Sequence, residues 1–298
     1  MSASCPLCGQ PASFFFLTQD LNRRLSPAVF KYYQCLICGL IFLSPIPDDL
    51  DAYYPSTYYL VPTSLDQFAS QAEGERYKIE MIRKFVSAGR LLEIGPAYGS
   101  FAYLAKQAGF EVETIEMDGA CCRFLREVVG VCAIQSQDPC AALSEMGTYN
   151  VITLWQVIEH VPDPWLLLKK MVDHLLPGGI LVIAAPNPDA FQFQILGRWW
   201  THVDAPRHLE LIPISLLTQQ TRALNLKPVL LTTTDEGSLG WNSFGWQMSL
   251  RNLFLPHRWL RRLMRLIGLI VGVVLYPLEC REGWGSAYTA VFQKAKHI

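Results

Sequence analysis

Between residues 90 and 185 the chain alternates short apolar runs with stretches of helical character, and this alternation constrains the fold more than any other feature. Strands are predicted near 90–94, 110–116, 131–135, 150–154 and 180–185, and helices near 99–108, 119–128, 138–145 and 164–175. Strands and helices alternating at this length predict a parallel sheet that is covered on both faces. A helix near 213–224, a strand near 226–234 and a closing strand over 286–294 are predicted to follow.

The first predicted strand runs into a short glycine turn, LLEIGPAYGSF. Its glycines are Gly95 and Gly99 with Ala97 between them, which is not the G-x-G-x-x-G spacing that cradles a pyrophosphate. A proline follows the first glycine and removes one N–H donor. Glu116 ends the next predicted strand, where a carboxylate can accept hydrogen bonds from ribose hydroxyls. The pattern favours a ligand with a ribose and no phosphate; the alternative is a tight turn beside a solvated acid.

Two C-x-x-C-G motifs lie in the first 45 residues. The first contains Cys5 and Cys8, and the second contains Cys35 and Cys38. Two thiolates on one tight turn can bind a single ion, and two such turns complete a tetrahedral site of four sulfurs. We predict a structural zinc ion here, with an unmetallated thiol cluster or a redox pair as the alternatives. A closed shell of four sulfurs leaves no open coordination position, so no catalysis is expected at this site.

Composition argues against several classes of protein. The 298 residues are 51% hydrophobic and 17% charged, so the chain can bury a large core and has no signature of disorder. The net charge of −1 gives no basic excess for a nucleic-acid partner. No secretory signal is recognisable, and no uncharged apolar run reaches the roughly 20 residues of a membrane span. We therefore expect a soluble cytoplasmic protein.

Residues 90–185 resemble the class I S-adenosylmethionine-dependent methyltransferases. LLEIGPAYGSF matches the first motif of that family, YNVITLWQVIEHVPDP its fourth-strand region, and LLPGGILVIAAPN its fifth strand. The cysteine motifs, the segment AYYPSTYY and a late PRHL resemble a bacterial subgroup with an N-terminal zinc-binding module. The resemblance implies an α/β fold, with a Rossmann-like seven-stranded doubly wound sheet whose last strand is antiparallel, and a small N-terminal zinc-ribbon-like module.

The same resemblance divides the chain into three parts. A zinc-binding module is expected at 1–45, a Tyr/Pro-rich connector and helix at 46–88, and the methyltransferase domain at 89–298. The last part would carry insertions at about 187–212 and 236–284.

The resemblance also implies which residues bind the cofactor, S-adenosylmethionine. Glu93 and Gly95 would lie at its methionine end. Glu116 would bind the ribose, and Met117 would face the adenine. The complete expected set shares the first turn or the carboxyl end of a strand: Glu93, Gly95, Ala97, Gly99, Glu116, Met117 and Trp155.

Some quinone O-methyltransferases that resemble this family bind a divalent cation through an acid–x–x–Glu–His cluster. Gln156 replaces the first acid here, ahead of Glu159 and His160. A neutral amide is a poor substitute for a carboxylate on a hard cation, so we expect no catalytic magnesium.

Two histidines are candidates for the base that removes a proton from a hydroxyl acceptor. His160 follows the fourth strand, at the sheet edge where ligands bind, and His208 lies in DAPRHL. The ordinary pKa of imidazole suits proton removal near neutrality. Either ring could instead serve only to hold the structure, and His202 is a weaker candidate. Arg207 could bind an anionic substrate group or pair with a surface acid.

Three aromatic residues are candidates for a substrate wall, with core packing as the alternative: Tyr54, Trp199 and Trp200.

The segment 253–278 combines arginines with apolar residues. Arg258, Arg261, Arg262 and Arg265 are spaced i, i+3, i+4 and i+7, which places them on one face of a helix. A basic amphipathic helix suits an anionic membrane surface and would fit a lipid-linked substrate. The alternative is an insertion packed on the domain with a solvated arginine face.

We therefore expect methyl transfer from S-adenosylmethionine to a small or lipid-linked acceptor, most often an oxygen of a sugar or similar metabolite. Carbon methylation of a nucleotide-linked sugar is the alternative within the same class of enzyme. A non-catalytic binding platform is an alternative of another kind. An RNA methyltransferase is a third, and the near-neutral charge argues against it.

Overall fold

The computed structural model describes residues 3–55, 58–62, 65–253 and 257–296. The N-terminal elements are β1 (Ala3–Ser4), β2 (Pro11–Gln19), β3 (Val29–Cys35), β4 (Ile41–Leu43), α1 (Leu65–Glu73) and α2 (Arg76–Arg83). The central elements are β5 (Gly89–Ile94), α3 (Ser100–Gln107), β6 (Phe110–Glu116), α4 (Gly119–Phe124), β7 (Cys132–Gln135), α5 (Pro139–Ser144), β8 (Tyr149–Trp155), α6 (Pro164–Asp173) and β9 (Leu175–Pro186). The last elements are α7 (Phe191–Leu196), β10 (Glu210–Leu211), α8 (Ile214–Ala223), β11 (Leu226–Thr232), α9 (Glu236–Leu253), α10 (Arg258–Glu279) and β12 (Ala287–Lys294).

The larger sheet has seven strands in the order β11-β12-β9-β8-β5-β6-β7. Strands β5 to β9 pair in parallel, whereas β12 is antiparallel to both of its neighbours. The predicted α/β class, with seven strands and an antiparallel last strand, is therefore confirmed. The order reverses between β5 and β8, and such a switch point opens a crevice at the carboxyl ends of the strands.

The central strands are apolar along their length because helices cover both faces of the sheet. Successive residues enter opposite cores: Leu91 and Val151 pack on one face, and Leu92 and Ile152 on the other. All four are fully buried. The near-continuous apolar runs that predicted these strands are thus the ones that a doubly covered sheet requires.

The smaller sheet has five strands in the order β1-β2-β3-β4-β10. Its fifth strand comes from the long segment 187–212, since Glu210 pairs with Phe42 and Leu211 with Ile41. Beneath this sheet lies a third core, in which Tyr32 and Trp200 are fully buried. The N-terminal cysteine-bearing strands and the 187–212 segment therefore pack as one body.

Helices α9 and α10 pack against each other in antiparallel directions beside this third core. They approach closely at Gly268, where an added Cβ would lie 2.6 Å from the Cα of Gln247. The helix predicted to carry the four arginines is confirmed as α10, although α9 was not predicted. Within the described ranges, no helix combines the length and the apolar character needed to cross a bilayer.

Candidate functional site

A cavity of about 680 Å³ opens at the carboxyl ends of β5, β6, β7 and β8. Its turn side is formed by the loops that follow these strands, among them Gly95, Ala97, Glu116, Met117, Ser136 and Trp155. Its histidine side is formed by the connector, the loop after β8, the 187–212 segment and α9, and its lining includes Tyr54, His160, His202, His208, Trp241 and Phe244. One continuous space thus joins the predicted cofactor turn to both predicted base candidates.

The glycine turn is folded as a left-handed bend that only a small residue tolerates. Gly95 has φ +69°, and an added Cβ would lie 2.6 Å from Cγ2 of Val157. Ala97 takes the middle place with φ +52°, in a region that a side chain enters at a modest energetic cost. The bend exposes the backbone of β5 to the cavity, which allows a ligand to approach closely.

Glu116 points into the turn and organises it. Its Oε2 accepts a hydrogen bond from the Ala97 N–H at 2.9 Å, and its Oε1 accepts one from the Asp118 N–H at 2.8 Å. Burial raises the pKa of Glu116 to about 6, against these backbone hydrogen bonds, which lower it. Each carboxylate oxygen can accept a further bond, so Glu116 is suited to hold two vicinal hydroxyls in the cavity.

Two other predicted cofactor residues line the same side of the cavity, Met117 and Trp155. The Trp155 ring packs edge-on against Phe101, with centroids 5.4 Å apart, and its buried Nε1 has no hydrogen-bond partner among the described residues. Ser136 and Gln137, which follow β7, also line the cavity and were not predicted. The signal for them was positional, because the carboxyl ends of parallel strands share one edge of the sheet.

Glu93 and Gly99 were predicted in the cofactor set, and they lie behind the cavity rather than in its lining. Burial raises the pKa of Glu93 to about 8, although the nearby Lys78 lowers it, and Oε2 of Glu93 has no partner among the described residues. Gly99 is the N-cap residue just before α3, with φ +85°, and an added Cβ would lie 2.4 Å from Cδ2 of Leu125. Their contact with the cofactor stays a prediction.

On the histidine side, a hydrogen bond to the backbone of His202 holds the ring of His208. Its Nδ1 lies 2.7 Å from the carbonyl oxygen of His202, which can only accept, so Nδ1 carries the proton. Nε2 of the neutral ring is then an acceptor. Burial lowers the pKa of His208, whereas the carboxylate of Asp204 raises it. The ring is therefore neutral near pH 7, with its free lone pair on Nε2.

His160 packs against His208, with ring centroids 4.5 Å apart. Nδ1 of His160 lies 2.9 Å from the hydroxyl of Tyr54, and burial followed by the neighbouring His208 lowers its pKa to about 3. Because the Tyr54 hydroxyl and the Arg207 backbone both bond to this ring, His160 is more constrained than His208. Burial also lowers the pKa of His202 to about 3.

Glu159 lies close to the two rings and is almost fully buried. Neither of its carboxyl oxygens has a hydrogen-bond partner among the described residues, and burial raises its pKa to about 8. One oxygen lies 3.9 Å from Nε2 of His208. Glu159, His160 and His208 place one ligand atom each within 4.8 Å of the others, so a divalent cation could bind there. Gln156 also lines the cavity.

Arg207 does not face the cavity. Its guanidinium is fully buried and pairs with Asp20 at 2.6 Å and with Asp204 at 2.7 Å. This arrangement ties the N-terminal sheet region to the segment that carries His208. The pairing with acids, one of the two predicted alternatives, is the one that the structure contains, and both acids are largely buried rather than at the surface.

The aromatic wall differs from the one predicted. Tyr54 lines the cavity, but Trp200 is buried in the third core and Trp199 lies outside the cavity lining. Trp241 and Phe244 of α9 take that place instead. They were missed because α9 contains three glycines and has little apolar periodicity, so no pattern indicated a helix there.

The four predicted zinc ligands converge at the end of the smaller sheet. Sγ atoms of Cys5 and Cys38 are 3.6 Å apart, and those of Cys8 and Cys35 are 3.5 Å apart. A tetrahedral zinc site with Zn–S bonds of ~2.3 Å requires sulfurs about 3.8 Å apart. The N–H groups of Ile37 and Cys38 point at Sγ of Cys35, each at 3.4 Å, an arrangement that stabilises a thiolate.

Comparison with known proteins agrees with this geometry. A family model described as a methyltransferase domain matches residues 69–231, more than half of the chain. The ubiquinone biosynthesis O-methyltransferase of Xanthomonas oryzae pv. oryzae is 23% identical over 185 residues, covering 59% of this chain and 72% of that protein. The protein of the same name from Ruegeria pomeroyi is 28% identical over 211 residues, covering 65% and 80%.

A solved structure shares the fold of the larger sheet. The crystal structure of a SAM dependent methyltransferase from Archaeoglobus fulgidus aligns with a TM-score of 0.52 and 16% identity, covering 75% of this chain and 94% of that one. The chain therefore belongs to the methyltransferase-domain family and is an S-adenosylmethionine-dependent methyltransferase.

Proposed function

We propose that the chain methylates an oxygen of a small or lipid-linked acceptor, with a sugar or similar metabolite preferred, and that His208 is the base. The observation that carries this proposal is that one cavity is lined by both Glu116 and His208. Both of the relatives described above are named as O-methyltransferases, which also supports this proposal. S-adenosylmethionine, when bound, supplies an electrophilic methyl group on sulfur.

The residues on the turn side fit an adenosyl group. Glu116 would accept hydrogen bonds from the ribose hydroxyls, Met117 would pack on the adenine, and the Gly95 backbone would approach the methionine end. The proline at position 96 and the left-handed bend offer no cradle for a diphosphate. Trp155, whose Nε1 is buried and unpartnered among the described residues, would close the rim.

On the histidine side, a hydroxyl acceptor would donate a hydrogen bond to Nε2 of His208. When the acceptor oxygen is methylated, its hydroxyl proton would pass to Nε2 of His208. Asp204 favours the imidazolium that results, because its carboxylate raises the pKa of His208. His160, held by Tyr54, would keep the His208 ring in place.

We also propose that the four cysteines bind a structural zinc ion. The short distances between their sulfurs and the N–H groups directed at Cys35 support this ligand set. Asn22 and Arg23, on the loop between β2 and β3, line the cavity. The zinc-bound module would therefore stabilise the histidine side of the cavity as well as its own fold.

The test is incubation of the purified protein with methyl-labelled S-adenosylmethionine and a panel of sugar and phenolic hydroxyl acceptors, with the labelled product identified by mass spectrometry and NMR. The proposal predicts an ether methyl group. A carbon-bound label would support the C-methyltransferase alternative. Absence of micromolar S-adenosylmethionine binding in a calorimetric titration would support the non-catalytic platform.

The base is tested by His208→Asn, which should lower the rate by about 10²- to 10⁴-fold and leave S-adenosylmethionine affinity unchanged. His174→Asn, at the end of α6 and outside the cavity lining, is the matched control and should keep full rate. Brief EDTA treatment should leave the rate unchanged. A loss that Mg²⁺ or Mn²⁺ restores would instead assign the three-residue cluster around Glu159 to a catalytic cation.

A further inference from the structure

Helix α10 exposes an apolar face that no other described element covers. Residues along one side of its 22 positions are exposed large hydrophobic groups. Trp259 is 65% exposed, Ile270 55%, Val273 69% and Val274 68%. A contiguous face of this size on a single helix marks a surface for docking. The opposite side of α10, including Gly268, packs against α9.

The edge of this face is basic. Arg258, Arg262 and Arg265 are exposed and lie within the first two turns of α10, and Arg261 is half-buried beside them. The helix contains one acid, Glu279, which is buried at its other end. None of the four arginines forms an ion pair with an acid in the described part of the chain.

This basic edge continues toward the cavity. Burial lowers the pKa of Arg24, and the neighbouring Arg261 and Arg251 lower it further, so these three cations crowd one another. Arg24 donates to the carbonyl of Asn252 at 3.0 Å. Its chain neighbour Arg23 lines the cavity, with its guanidinium 3.8 Å from the centre of the Tyr58 ring. Positive charge therefore extends from α10 to the histidine side of the cavity.

We propose that α10 docks on an anionic lipid bilayer, with its apolar face among the acyl chains and its arginines at the phosphates, and that the cavity receives a lipid-linked acceptor from that surface. Docking stands on α10 alone, whereas delivery of the acceptor rests on the function proposed above. A helix with an apolar face flanked by arginines has the composition of membrane-surface helices. An anionic surface supplies the counter-charges that the described chain does not.

Two other occupants fit less well. A second copy of the chain, packed about a two-fold axis through α10, would bring two sets of arginines together without acids between them. A nucleic acid would meet the arginines but would leave the apolar face exposed to water. A bilayer satisfies both surfaces together, because its interface presents phosphates directly above acyl chains.

The test is co-sedimentation of the full chain with phosphatidylcholine vesicles, with and without phosphatidylglycerol, in the absence of S-adenosylmethionine and acceptor. Wild-type protein should pellet with the anionic vesicles, and raising the salt concentration should release it. Combined Arg258→Gln, Arg262→Gln and Arg265→Gln should weaken this binding by about 100-fold. Combined Ile270→Ser, Val273→Ser and Val274→Ser should weaken it by about tenfold or more.

The matched control replaces exposed leucines outside α10, Leu60→Ser and Leu166→Ser, and should bind vesicles as wild type does. Calorimetric S-adenosylmethionine binding checks that each variant is folded. The proposal is overturned if the wild-type protein stays in the supernatant, or if the α10 variants pellet like wild type. It is also overturned if sedimentation velocity shows a dimer that the serine variant dissociates. A third contrary result would be that an RNA oligomer binds in a way that depends on the arginines, whereas vesicles do not bind. Since no acceptor is present, failure here leaves the methyl-transfer proposal standing, and failure of methyl transfer leaves docking standing.

Discussion

The buried ion pair of Arg207 can be compared with an exposed ion pair of the same length, that of Arg76. Arg207 lies 2.6 Å from Asp20 with both side chains fully buried, whereas Arg76 lies 2.6 Å from Glu73 with both side chains about half exposed. Arg207→Met would leave two carboxylates without their cation in the region that carries His208. Removing one partner of a buried pair destabilises by about 3–5 kcal/mol, so we expect a loss of that size in the free energy of unfolding at pH 7.

The assay is urea unfolding followed by tryptophan fluorescence, to which the buried Trp200 of the third core contributes. Arg76→Met is the control and should unfold like wild type, because solvent screens an exposed pair. Arg207→Lys should fall between the two, since an ammonium keeps the charge but loses the fork that spans both acids.

The pH dependence adds a second check. Arg207 holds the pKa of Asp204 below its ordinary value in the folded state, against the opposing effect of burial. The pair therefore stabilises fully above the unfolded pKa of about 3.9, and this stabilisation is lost as the pH falls through the depressed folded value. The difference between wild type and Arg207→Met should shrink below about pH 4. A difference under about 1 kcal/mol at pH 7, or one equal to that of Arg76→Met, would refute the reasoning.

Three further predictions concern the site. Glu116→Ala should weaken S-adenosylmethionine binding by about 10- to 100-fold in a calorimetric titration, because two hydrogen bonds to a carboxylate are lost; an unchanged affinity would remove Glu116 from the cofactor site. Cys8→Ser should abolish bound zinc in metal analysis and lower the methyl-transfer rate while the affinity for S-adenosylmethionine stays close to wild type; zinc retained at full occupancy would contradict the four-cysteine shell. Because only neutral His208 can accept a proton and burial lowers its pKa, the rate should stay level as the pH falls to about 6.5 and decline only at lower pH; a decline that begins near pH 8 would argue against His208 as the base.

The sequence was most informative where one pattern repeats. The strands from 90 to 185 were predictable because a sheet covered on both faces requires apolar runs, and each run is followed by a helix and a turn residue. The position of Glu116 at the end of β6 was predictable for the same reason, because strand ends share one edge of the sheet. The four cysteines were predictable because ligand spacing is local, within three residues of each other on each turn.

The histidine side was less predictable because its contacts are long-range. Strand β10 has only two residues, too few to show a period of two, and its pairing with β4 joins segments about 170 residues apart. Whether Arg207 faced a substrate or an acid depended on Asp20, which is 187 residues away in the chain. Likewise, the wall formed by Trp241 depended on a glycine-containing helix with little apolar periodicity.

The five-stranded sheet has consequences for the order in which the chain can fold during synthesis and for which part of it could be transferred to another protein. Its cysteine-bearing strands are synthesised well before β10, and β4 has to wait for that partner, which lies about 170 residues further along the chain, so this sheet can be completed only after the 187–212 segment has been made. If the first 45 residues were joined to another methyltransferase, the edge of β4 that pairs with β10 here would have no partner strand. A transferable unit would have to contain two separate parts of the chain: the cysteine-bearing strands and the segment that carries His208.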